Sequence, residues 1–297
     1  MTRIIIIGGV AGGMSAATRL RRLMEDTDIV IYEKGPYVSF ANCGLPYHLS
    51  GEITERDDLI VQSPQALRDR FNLTVKPNHD VISVNPEQQT VVVRHGEQEI
   101  IDNYDILILS PGAHPIKPLI QGLESANNVY TLRNIPDLDR IMAHISQTTI
   151  KEAVVIGAGF IGLEMAENLK HKGFNVTVVE MAPQVLPPFD SEMAGFVQET
   201  LLSNGINVIT SQSVVAFKDQ GKTLVLSNDQ EIYSDLTILS AGVQPSTDFI
   251  KDSGITLGQR NGIIVDESYR TNYPNVYAVG DATLTHHQIS KKLSLFL

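Results

Sequence analysis

The sequence predicts an α/β fold made of two parallel-sheet units, the second inserted in the first. A β-branched run followed by closely spaced glycines occurs twice, at residues 4–13 and 154–162. Each copy leads into a helix-compatible stretch and then into a second apolar run that ends in an acidic residue. Continuous apolar strands that alternate with helices are typical of parallel sheets covered on both faces. The length of 297 residues suits two domains of about 150 residues each.

The elements of the first unit follow from its apolar runs. The strand at 4–7 leads through glycines to a helix at 14–24 and a strand at 28–33. Alternating apolar and polar residues between 81 and 101 predict a β-meander. The buried run 105–109, which stops at a Ser-Pro-Gly turn, is predicted to be the closing strand.

The second unit repeats this order, and the chain then returns to the first unit. The predicted strand, helix, strand and closing strand lie at 154–156, 163–172, 175–180 and 236–239. Two further strands are predicted at 262–266 and 275–281. The domain bounds are therefore 1–117 with 245–297 for the first unit and 118–244 for the second. Short ordered joints are expected at 115–118 and 244–245.

Composition and charge exclude several classes of protein. Lys and Arg number 23 against 34 Asp and Glu, a net charge of −11, which argues against a nucleic-acid partner. No apolar run is long enough for a bilayer span, and no signal core is present at the start. A single cysteine cannot form an internal disulfide, and no cluster of metal ligands is expected. We therefore expect a cytoplasmic protein without a membrane or metal partner.

The two glycine loops predict dinucleotide sites. Glycine tolerates a tight turn and lets the backbone approach a pyrophosphate, while the following helix N-terminus supplies free N–H groups. The second loop matches G-x-G-x-x-G in full, whereas the first carries Val10 at the middle position. One such loop is equally compatible with a structural turn. Two copies in the same context predict two Rossmann-like dinucleotide-binding domains.

An acid follows each loop at the end of the second strand, Glu33 in the first unit and Glu180 in the second. Such a carboxylate accepts hydrogen bonds from a ribose hydroxyl. At Glu180 it suits the 2′-hydroxyl of NADH and repels the 2′-phosphate of NADPH. No arginine directly follows Glu180. NADH is therefore the predicted nucleotide of the second unit.

Together with a late segment at 271–282, the two units resemble the pyridine nucleotide-disulfide oxidoreductases, flavoproteins with two dinucleotide sites. The resemblance runs from Met1 to about Ala282 and implies three-layer domains that bind FAD first and NAD(P)H second. It assigns the FAD site to Gly8, Gly9, Val10, Ala11, Gly12, Gly13, Glu33, Lys34, Val81, Ser110, Gly112, Gly280, Asp281 and Ala282. It assigns the NADH site to Gly157, Gly159, Phe160, Ile161, Gly162, Glu164, Glu180 and Gly242.

Two residues of the predicted NADH site have an alternative interpretation. Phe160 gates the flavin face, as aromatic residues do in relatives, or is a core residue. Glu164 matches a family glutamate near the nicotinamide, or is an exposed helix acid.

Cys43 is the predicted catalytic residue. The motif S-F-A-N-C-G-L-P-Y at 39–47 is similar to that of the single-cysteine branch, which comprises coenzyme A disulfide reductases, persulfide reductases, NADH oxidases and NADH peroxidases. The oxidases and peroxidases place a histidine in the FAD loop where this chain has Ala11. The reductases are therefore favoured. The alternative for Cys43 is an inert buried thiol.

The resemblance also implies a coenzyme A site. Arg19 and Arg22, with Ser15 one turn earlier, share one face of the first predicted helix. In coenzyme A disulfide reductases this helix holds phosphates, together with residues matching Ser39 and Asn42. The alternative is a solvated face. The family often has a lysine near Phe71, where this chain offers Arg68 and Arg70.

The predicted function is to pass electrons from NADH through FAD to Cys43, which reduces coenzyme A disulfide or coenzyme A persulfide. Alternatives are an NADH oxidase or peroxidase, a rubredoxin- or ferredoxin-type reductase, and an incomplete FAD- and NAD-binding fragment. Full-length family members are homodimers with a C-terminal dimerisation domain. This chain ends at Leu297, so we expect that domain to be missing.

Overall fold

After each glycine-rich strand the chain forms a helix and a second strand, as the apolar runs predict. The computed structural model describes residues 1–287, 289 and 293–295. Its helices are α1 Ala11–Leu23, α2 Leu45–Ser50, α3 Pro64–Phe71, α4 Ile135–Gln147, α5 Phe160–His171 and α6 Ser191–Ser203. Its strands are β1 Arg3–Ile7, β2 Asp28–Tyr32, β3 Thr74–Lys76, β4 Asp80–Asn85, β5 Thr90–His95, β6 Gln98–Asn103, β7 Ile106–Leu109, β8 Ala113–Pro115, β9 Val129–Tyr130, β10 Glu152–Ile156, β11 Asn175–Val179, β12 Ile206–Ile209, β13 Val214–Lys218, β14 Thr223–Leu226, β15 Glu231–Tyr233, β16 Leu236–Leu239, β17 Val243–Pro245, β18 Ile263–Ile264, β19 Val276–Ala278, β20 Thr283–His286 and β21 Leu293–Leu295.

The contacts divide the chain into two units. The first unit contains Met1–Ala41, Ile60–His114 and the described residues from Gln244 on, and the second contains Asn42–Leu59 and Pro115–Val243. These bounds differ from the expected ones mainly at Asn42–Leu59, which the sequence assigned to the first unit. This segment groups with the second unit because α2 packs on α4 and α5.

The first unit has three layers. Its parallel sheet has the strand order β19-β7-β1-β2-β3. Helices α1 and α3 cover one face through buried side chains that include Met14, Ala17 and Leu67. The antiparallel sheet β4-β5-β6, which is the predicted meander, packs through Val81 and Val91 into the core that contains Ile5 of β1. The two sheets therefore share one hydrophobic core.

The second unit repeats the parallel sheet, with the strand order β12-β11-β10-β16-β9. Helix α5 packs on β10 and β11, and the antiparallel sheet β13-β14-β15 contributes buried residues to a core that contains Val154 and Ile156 of β10. Helix α4 begins with a capping box between Asn134 and Asp137. Within the described part of the chain, no helix has the length and apolar character of a membrane span.

The observed bounds differ from the predicted ones at loops. Helices α1 and α5 begin at Ala11 and Phe160, earlier than predicted, because glycines of each loop already have helical geometry. The strand predicted at 262–266 is reduced to Ile263–Ile264. Helices α2, α3, α4 and α6 were not predicted.

A charged network ties the meander to the start of the first sheet. The Arg3 guanidinium donates to Asp102, with Nη2 2.7 Å from Oδ2, and also pairs with Asp28. The Tyr32 hydroxyl donates to Asp102 Oδ2 at 2.6 Å. Burial acts to raise the pKa of Asp102, but the hydrogen bonds from Arg3 and Tyr32 outweigh it and hold this pKa below its usual range.

We expect Asp102→Asn to lower the free energy of unfolding by about 1–2 kcal/mol at pH 7, since it weakens bonds to a charged acceptor. The folded-state pKa of Asp102 lies below the unfolded one. Its contribution is therefore present above the unfolded pKa and is lost as pH falls through the folded pKa. Urea denaturation of both proteins at neutral and acidic pH measures this. Glu97→Gln, at an exposed acid of the β5–β6 turn, is the control; an equal loss in both variants would contradict the prediction.

Candidate functional site

The first glycine loop closes against the end of β7. The chain leaves β1 at Gly8, whose φ of +106° lies in the left-handed region. A Cβ on Gly8 would lie 1.9 Å from the carbonyl oxygen of Ser110, and a Cβ on Gly13 would lie 1.9 Å from the carbonyl oxygen of Gly8. Only glycine permits this turn at both positions.

The loop leaves the start of α1 open. Among the described residues, no side chain caps the first turn of α1, and that turn carries no acid. The free N–H groups and the positive end of the helix dipole favour an anion at this point. The glycine cradle and the open helix start therefore fit the pyrophosphate of a dinucleotide.

Glu33 lies at the edge of the first loop. Its Oε2 accepts a hydrogen bond from the Gly9 N–H at 2.8 Å, and its Oε1 accepts one from the Gly35 N–H at 2.7 Å. Each carboxylate oxygen keeps a second lone pair, which can accept a hydrogen bond from a ribose hydroxyl. Lys34 is the next residue along this edge.

The segment after β19 reaches the same loop. Because β19 pairs with β7 in parallel, Gly280 follows the same sheet edge as Ser110. A Cβ on Gly12 would lie 2.6 Å from Ser110 Oγ and 3.8 Å from Gly280 Cα. Asp281 is exposed beside it, and Ala282 is buried. The structure therefore brings the two distant parts of the predicted FAD site together.

Two other residues of the predicted FAD site, Val81 and Gly112, make contacts within the first unit that are unrelated to the glycine loop. Val81 is buried in the core between the two sheets of the first unit. The Gly112 carbonyl accepts a hydrogen bond from the Ser246 N–H at 2.9 Å. A role for either residue in binding FAD stays a prediction.

The second glycine loop repeats the first. Gly157 has a φ of +100°, and a Cβ there would lie 2.3 Å from the carbonyl oxygen of Ser240. A Cβ on Gly162 would lie 1.9 Å from the Gly157 carbonyl oxygen, whereas no described atom lies within 4 Å of one on Gly159. Ser240 is therefore the counterpart of Ser110, a residue that our sequence reasoning missed. The available signal was its identical place after the closing strand.

Glu180 repeats the arrangement of Glu33. Its Oε2 accepts from the Ala158 N–H at 2.6 Å, and its Oε1 accepts from the Ala182 N–H at 2.7 Å. The residue is buried, so this carboxylate has a fixed orientation at the loop. Gly242, also predicted here, has a φ of +97°, and its carbonyl accepts from the Ile116 N–H at 2.9 Å.

The start of α5 presents apolar side chains to the surface. Phe160 is 61% exposed and Ile161 is 45% exposed, so the alternative of Phe160 as a core residue is wrong. The Phe160 ring meets the Phe189 ring edge-on, with centroids 5.9 Å apart. A gating role for Phe160 stays a prediction.

Glu164 faces the helix that follows Cys43. It is half-buried, so the alternative of an exposed helix acid is wrong. Burial raises the pKa of the Glu164 carboxyl, although a hydrogen bond from Tyr47 of α2 opposes the shift. The structure thus connects α2 with the helix of the second glycine loop.

Cys43 lies in the 3₁₀ turn Asn42–Gly44, immediately before α2. Its side chain is exposed, so the alternative of a buried thiol is wrong. The Asn42 amide Nδ2 donates to the Arg133 carbonyl at 3.4 Å. In the described part of the chain, no group of three or more His, Cys, Asp or Glu side chains is arranged to hold a metal ion.

A cleft in the first unit contains part of the predicted coenzyme A site. Its volume is about 220 Å³. The lining residues come from α1, α3 and the segments before α3, namely Met14, Ser15, Thr18, Ser39, Gln62, Leu67, Arg70 and Phe71. The sequence predicted Ser15 and Ser39, and the structure places both on this cleft. Asn42 belongs to the second unit.

The basic residue on this cleft is Arg70. Its guanidinium carbon lies 5.2 Å from the centroid of the Phe71 ring. Arg19 and Arg22 are exposed and do not line the cleft, and Arg22 Nε donates to the Thr18 carbonyl at 3.2 Å. Contacts of Arg19 and Arg22 with phosphates stay a prediction.

These loops and folds define a protein with two dinucleotide-binding units and one exposed thiol. Residues 2–293 match the family model of the pyridine nucleotide-disulphide oxidoreductases, and the chain belongs to this family. Membership implies binding of FAD and of a pyridine nucleotide, and the two glycine cradles with their carboxylates fit both groups.

Relatives of known name are similar over nearly the whole chain. Coenzyme A disulfide reductase of Staphylococcus haemolyticus is 37% identical over 293 residues, which are 98% of this chain and 65% of that protein. The Staphylococcus aureus enzyme of the same name is 34% identical over 97% of this chain and 65% of its own length. The chain thus spans 65% of the length of these curated relatives.

Solved structures agree with this grouping. Reduced CoADR-RHD of Bacillus anthracis superposes with a TM-score of 0.97 at 43% identity, over 99% of this chain and 53% of that one. An NAD-dependent persulfide reductase from A. fulgidus gives 0.95 at 35% identity, over 99% and 56%. The water-forming NADH oxidase of Lactobacillus brevis gives 0.92 at 25% identity, over 100% and 66%.

Proposed function

We propose that the chain binds FAD on its first unit and NADH on its second, and reduces a disulfide or persulfide of coenzyme A through Cys43. The observation that carries this proposal is the exposed thiol of Cys43, the chain's single cysteine, at the start of a helix that packs on the nucleotide-loop helix α5. The curated relatives at 34–37% identity are named coenzyme A disulfide reductases.

The first unit supplies the FAD site. The open start of α1 and the cradle of Gly8 and Gly13 would hold the pyrophosphate. Glu33 would accept a hydrogen bond from a ribose hydroxyl. Gly280 and Asp281 border the same cradle. When bound, FAD relays an electron pair from the nicotinamide to the protein's sulfur.

The second unit supplies the NADH site. The cradle of Gly157 and Gly162 would hold the pyrophosphate. Glu180 would accept a hydrogen bond from the 2′-hydroxyl of the adenosine ribose. Phe160 and Glu164, on the first turns of α5, border the place of the nicotinamide. The exposed Phe160 ring would gate this place.

Cys43 carries out the sulfur chemistry. Its thiolate attacks one sulfur of coenzyme A disulfide, so that a Cys43–coenzyme A mixed disulfide forms and one coenzyme A thiolate leaves. Two electrons from NADH then break this mixed disulfide, which regenerates the Cys43 thiolate and releases the second coenzyme A. With a persulfide substrate, the same attack transfers the outer sulfur to Cys43, and its reduction releases hydrosulfide.

Rival acceptors test the proposal. Purified protein is assayed for flavin absorbance and for NADH consumption with coenzyme A disulfide, coenzyme A persulfide or oxygen. We expect a yellow protein whose NADH consumption depends on one of the coenzyme A acceptors. Flavin-loaded protein that is inert with all three supports the alternative of an incomplete binding fragment.

Oxygen is the second candidate acceptor. The similarity to the water-forming NADH oxidase of Lactobacillus brevis favours it. Ala11 disfavours it, because a methyl group at this position of the FAD loop supplies no acid or base for oxygen chemistry. Oxygen consumption in step with NADH oxidation, without any coenzyme A substrate, would make it the primary function.

We expect Glu180→Ala to lower the preference for NADH over NADPH at least about tenfold, measured as the ratio of kcat/KM values. Loss of the carboxylate removes a ribose acceptor and the repulsion of a 2′-phosphate. It also leaves the Ala158 and Ala182 N–H groups without their acceptor, so the KM for NADH rises. Glu192→Ala, at an exposed acid of α6, is the matched control. An unchanged ratio in Glu180→Ala would contradict the role of Glu180.

Two further properties belong to the proposal. The absence of a second cysteine fits a reducing compartment, and we propose a cytoplasmic location. We propose homodimerisation for full-length members of the family and not for these 297 residues on their own. Gel filtration of the purified chain tests the second part, since elution as a dimer would contradict it.

A further inference from the structure

We propose that the Arg56–Asp139 ion pair is a positioning device for Cys43. Cys43 lies in the thiol segment, Asn42–Leu59, which groups with the second unit. The inference rests on the proposed function, because it assigns to the pair an effect on the Cys43 reaction. Arg56 and Asp139 are positioning residues, since the effect passes through the segment.

The pair has the geometry of a two-pronged clamp. Arg56 Nε donates to Asp139 Oδ1 at 2.7 Å, and Arg56 Nη2 donates to Asp139 Oδ2 at 2.7 Å. Arg56 begins the 3₁₀ turn at the end of the thiol segment, whereas Asp139 lies on α4. The hydrogen bonds from Arg56 lower the pKa of Asp139 despite partial burial. Two parallel bonds between planar groups set an orientation as well as a distance.

Apolar contacts hold the thiol segment in place without fixing its orientation. Leu45, Leu49 and Leu59 of the segment are 0–1% exposed. Burial of such side chains is favourable but non-directional. The orientation of the 3₁₀ turn that carries Cys43 therefore depends on directional contacts, such as hydrogen bonds and ion pairs.

Apart from the hydrogen bond that Tyr47 donates to Glu164 of α5, the other polar side-chain contacts of the segment are longer or internal. Asn42 Nδ2 lies 3.4 Å from the Arg133 carbonyl oxygen, and His171 Nδ1 lies 3.5 Å from Glu52 Oε1. His48 Nδ1 contacts the Ile53 carbonyl at 2.8 Å within the segment itself. The Arg56–Asp139 pair is the shorter and doubly bonded link from the segment to α4.

The Arg56–Asp139 pair is too exposed to contribute much to the free energy of unfolding. The Arg56 and Asp139 side chains are 34% and 43% exposed, and ion pairs of this exposure contribute little to the free energy of unfolding. The reaction rate is more sensitive to this pair than the free energy of unfolding, since a shift of about 1 Å in a reacting group can lower the rate about 100-fold. An effect on turnover without an effect on folding is therefore the signature of this device.

The test uses Arg56→Ala, Asp139→Ala and the charge swap Arg56→Asp with Asp139→Arg, all in the FAD-loaded protein. Turnover with coenzyme A disulfide gives kcat and the KM for NADH, and amide hydrogen exchange reports on the thiol segment. Arg94→Ala is the matched control, because Arg94 pairs with Glu99 at 2.8 Å with similar exposures of 51% and 49%.

We expect each single variant to lower kcat about tenfold, with the KM for NADH within twofold of wild type and Tm nearly unchanged. The rate of amide hydrogen exchange in the thiol segment rises about tenfold. The charge swap restores kcat and this exchange rate to within threefold of wild type. Arg94→Ala changes neither. Faster exchange with unchanged kcat, or a lower kcat that the swap does not restore, overturns the positioning role. If the wild-type protein has no turnover, the proposed function is refuted. In that case, an unchanged rate of amide hydrogen exchange in the Arg56 and Asp139 variants refutes the positioning role on its own.

Discussion

Replacement of Cys43 by serine is expected to abolish NADH-dependent reduction of coenzyme A disulfide, with a loss in kcat of at least about 10³-fold. A serine hydroxyl stays protonated at neutral pH and forms no disulfide, so the attack on substrate sulfur has no nucleophile. Because Cys43 is exposed and lies outside the glycine cradles, flavin and NADH binding should be retained. Steady-state assays with coenzyme A disulfide and with ferricyanide, an acceptor that needs no thiol, measure both properties.

A displaced thiol is the matched control for this variant. Asn42→Cys combined with Cys43→Ser keeps one exposed cysteine in the same 3₁₀ turn, one residue away. We expect this protein to remain inactive with coenzyme A disulfide, since nucleophilic attack depends on position. If Cys43→Ser alone keeps more than a tenth of wild-type activity, electrons reach the acceptor by another route. The electron-transfer reductase alternative then takes precedence.

Gly8→Ala is expected to produce a protein without flavin, with FAD affinity lowered at least about 100-fold. A methyl group there lies 1.9 Å from the Ser110 carbonyl oxygen, and φ is +106°. The turn must therefore open, which moves the start of α1 away from the place of the pyrophosphate. The free energy of unfolding should fall by about 3 kcal/mol or more. The flavin-to-protein absorbance ratio and thermal denaturation measure the two effects.

Gly96→Ala separates backbone strain from steric clash. Gly96, also in the first unit, has a φ of +60°, and no described atom lies within 4 Å of an added Cβ. This variant carries the strain alone, so we expect a loss of about 1 kcal/mol and normal flavin content. Equal flavin content in the Gly8 and Gly96 variants would show that the first loop does not hold FAD.

The two nucleotide loops were predictable from sequence because their chemistry is local. Each needs glycines at a strand end and an acid at the next strand end, all within one β–α–β stretch. Residues such as Gly8 and Glu33 therefore lie where the pattern predicts. Ser240 closes the second loop through its backbone carbonyl as Ser110 closes the first, and it was missed although it follows its closing strand in the same way.

The cleft lined by Ser15 and Ser39 was less predictable. Helical spacing placed Arg19 and Arg22 on the same face as Ser15, but spacing does not show which neighbours cover that face. Of the two arginines that the sequence offered in place of the family lysine, Arg68 and Arg70, packing of α3 on the sheet of the first unit brings Arg70 to the cleft. Its approach depends on contacts between residues that are distant in sequence.

By itself, the sequence determined the two-unit α/β fold and both glycine loops, and it identified Cys43 as the candidate catalytic residue. These features depend on residue type and short spacing, which a single chain displays directly. Only the tertiary structure decided that Asn42–Leu59, which carries Cys43, packs with the second unit, and that Arg56 fastens it to Asp139. Leu45 and Leu49 look like ordinary apolar residues in sequence, and their partners on other helices are chosen by burial in a shared core, which no local pattern encodes.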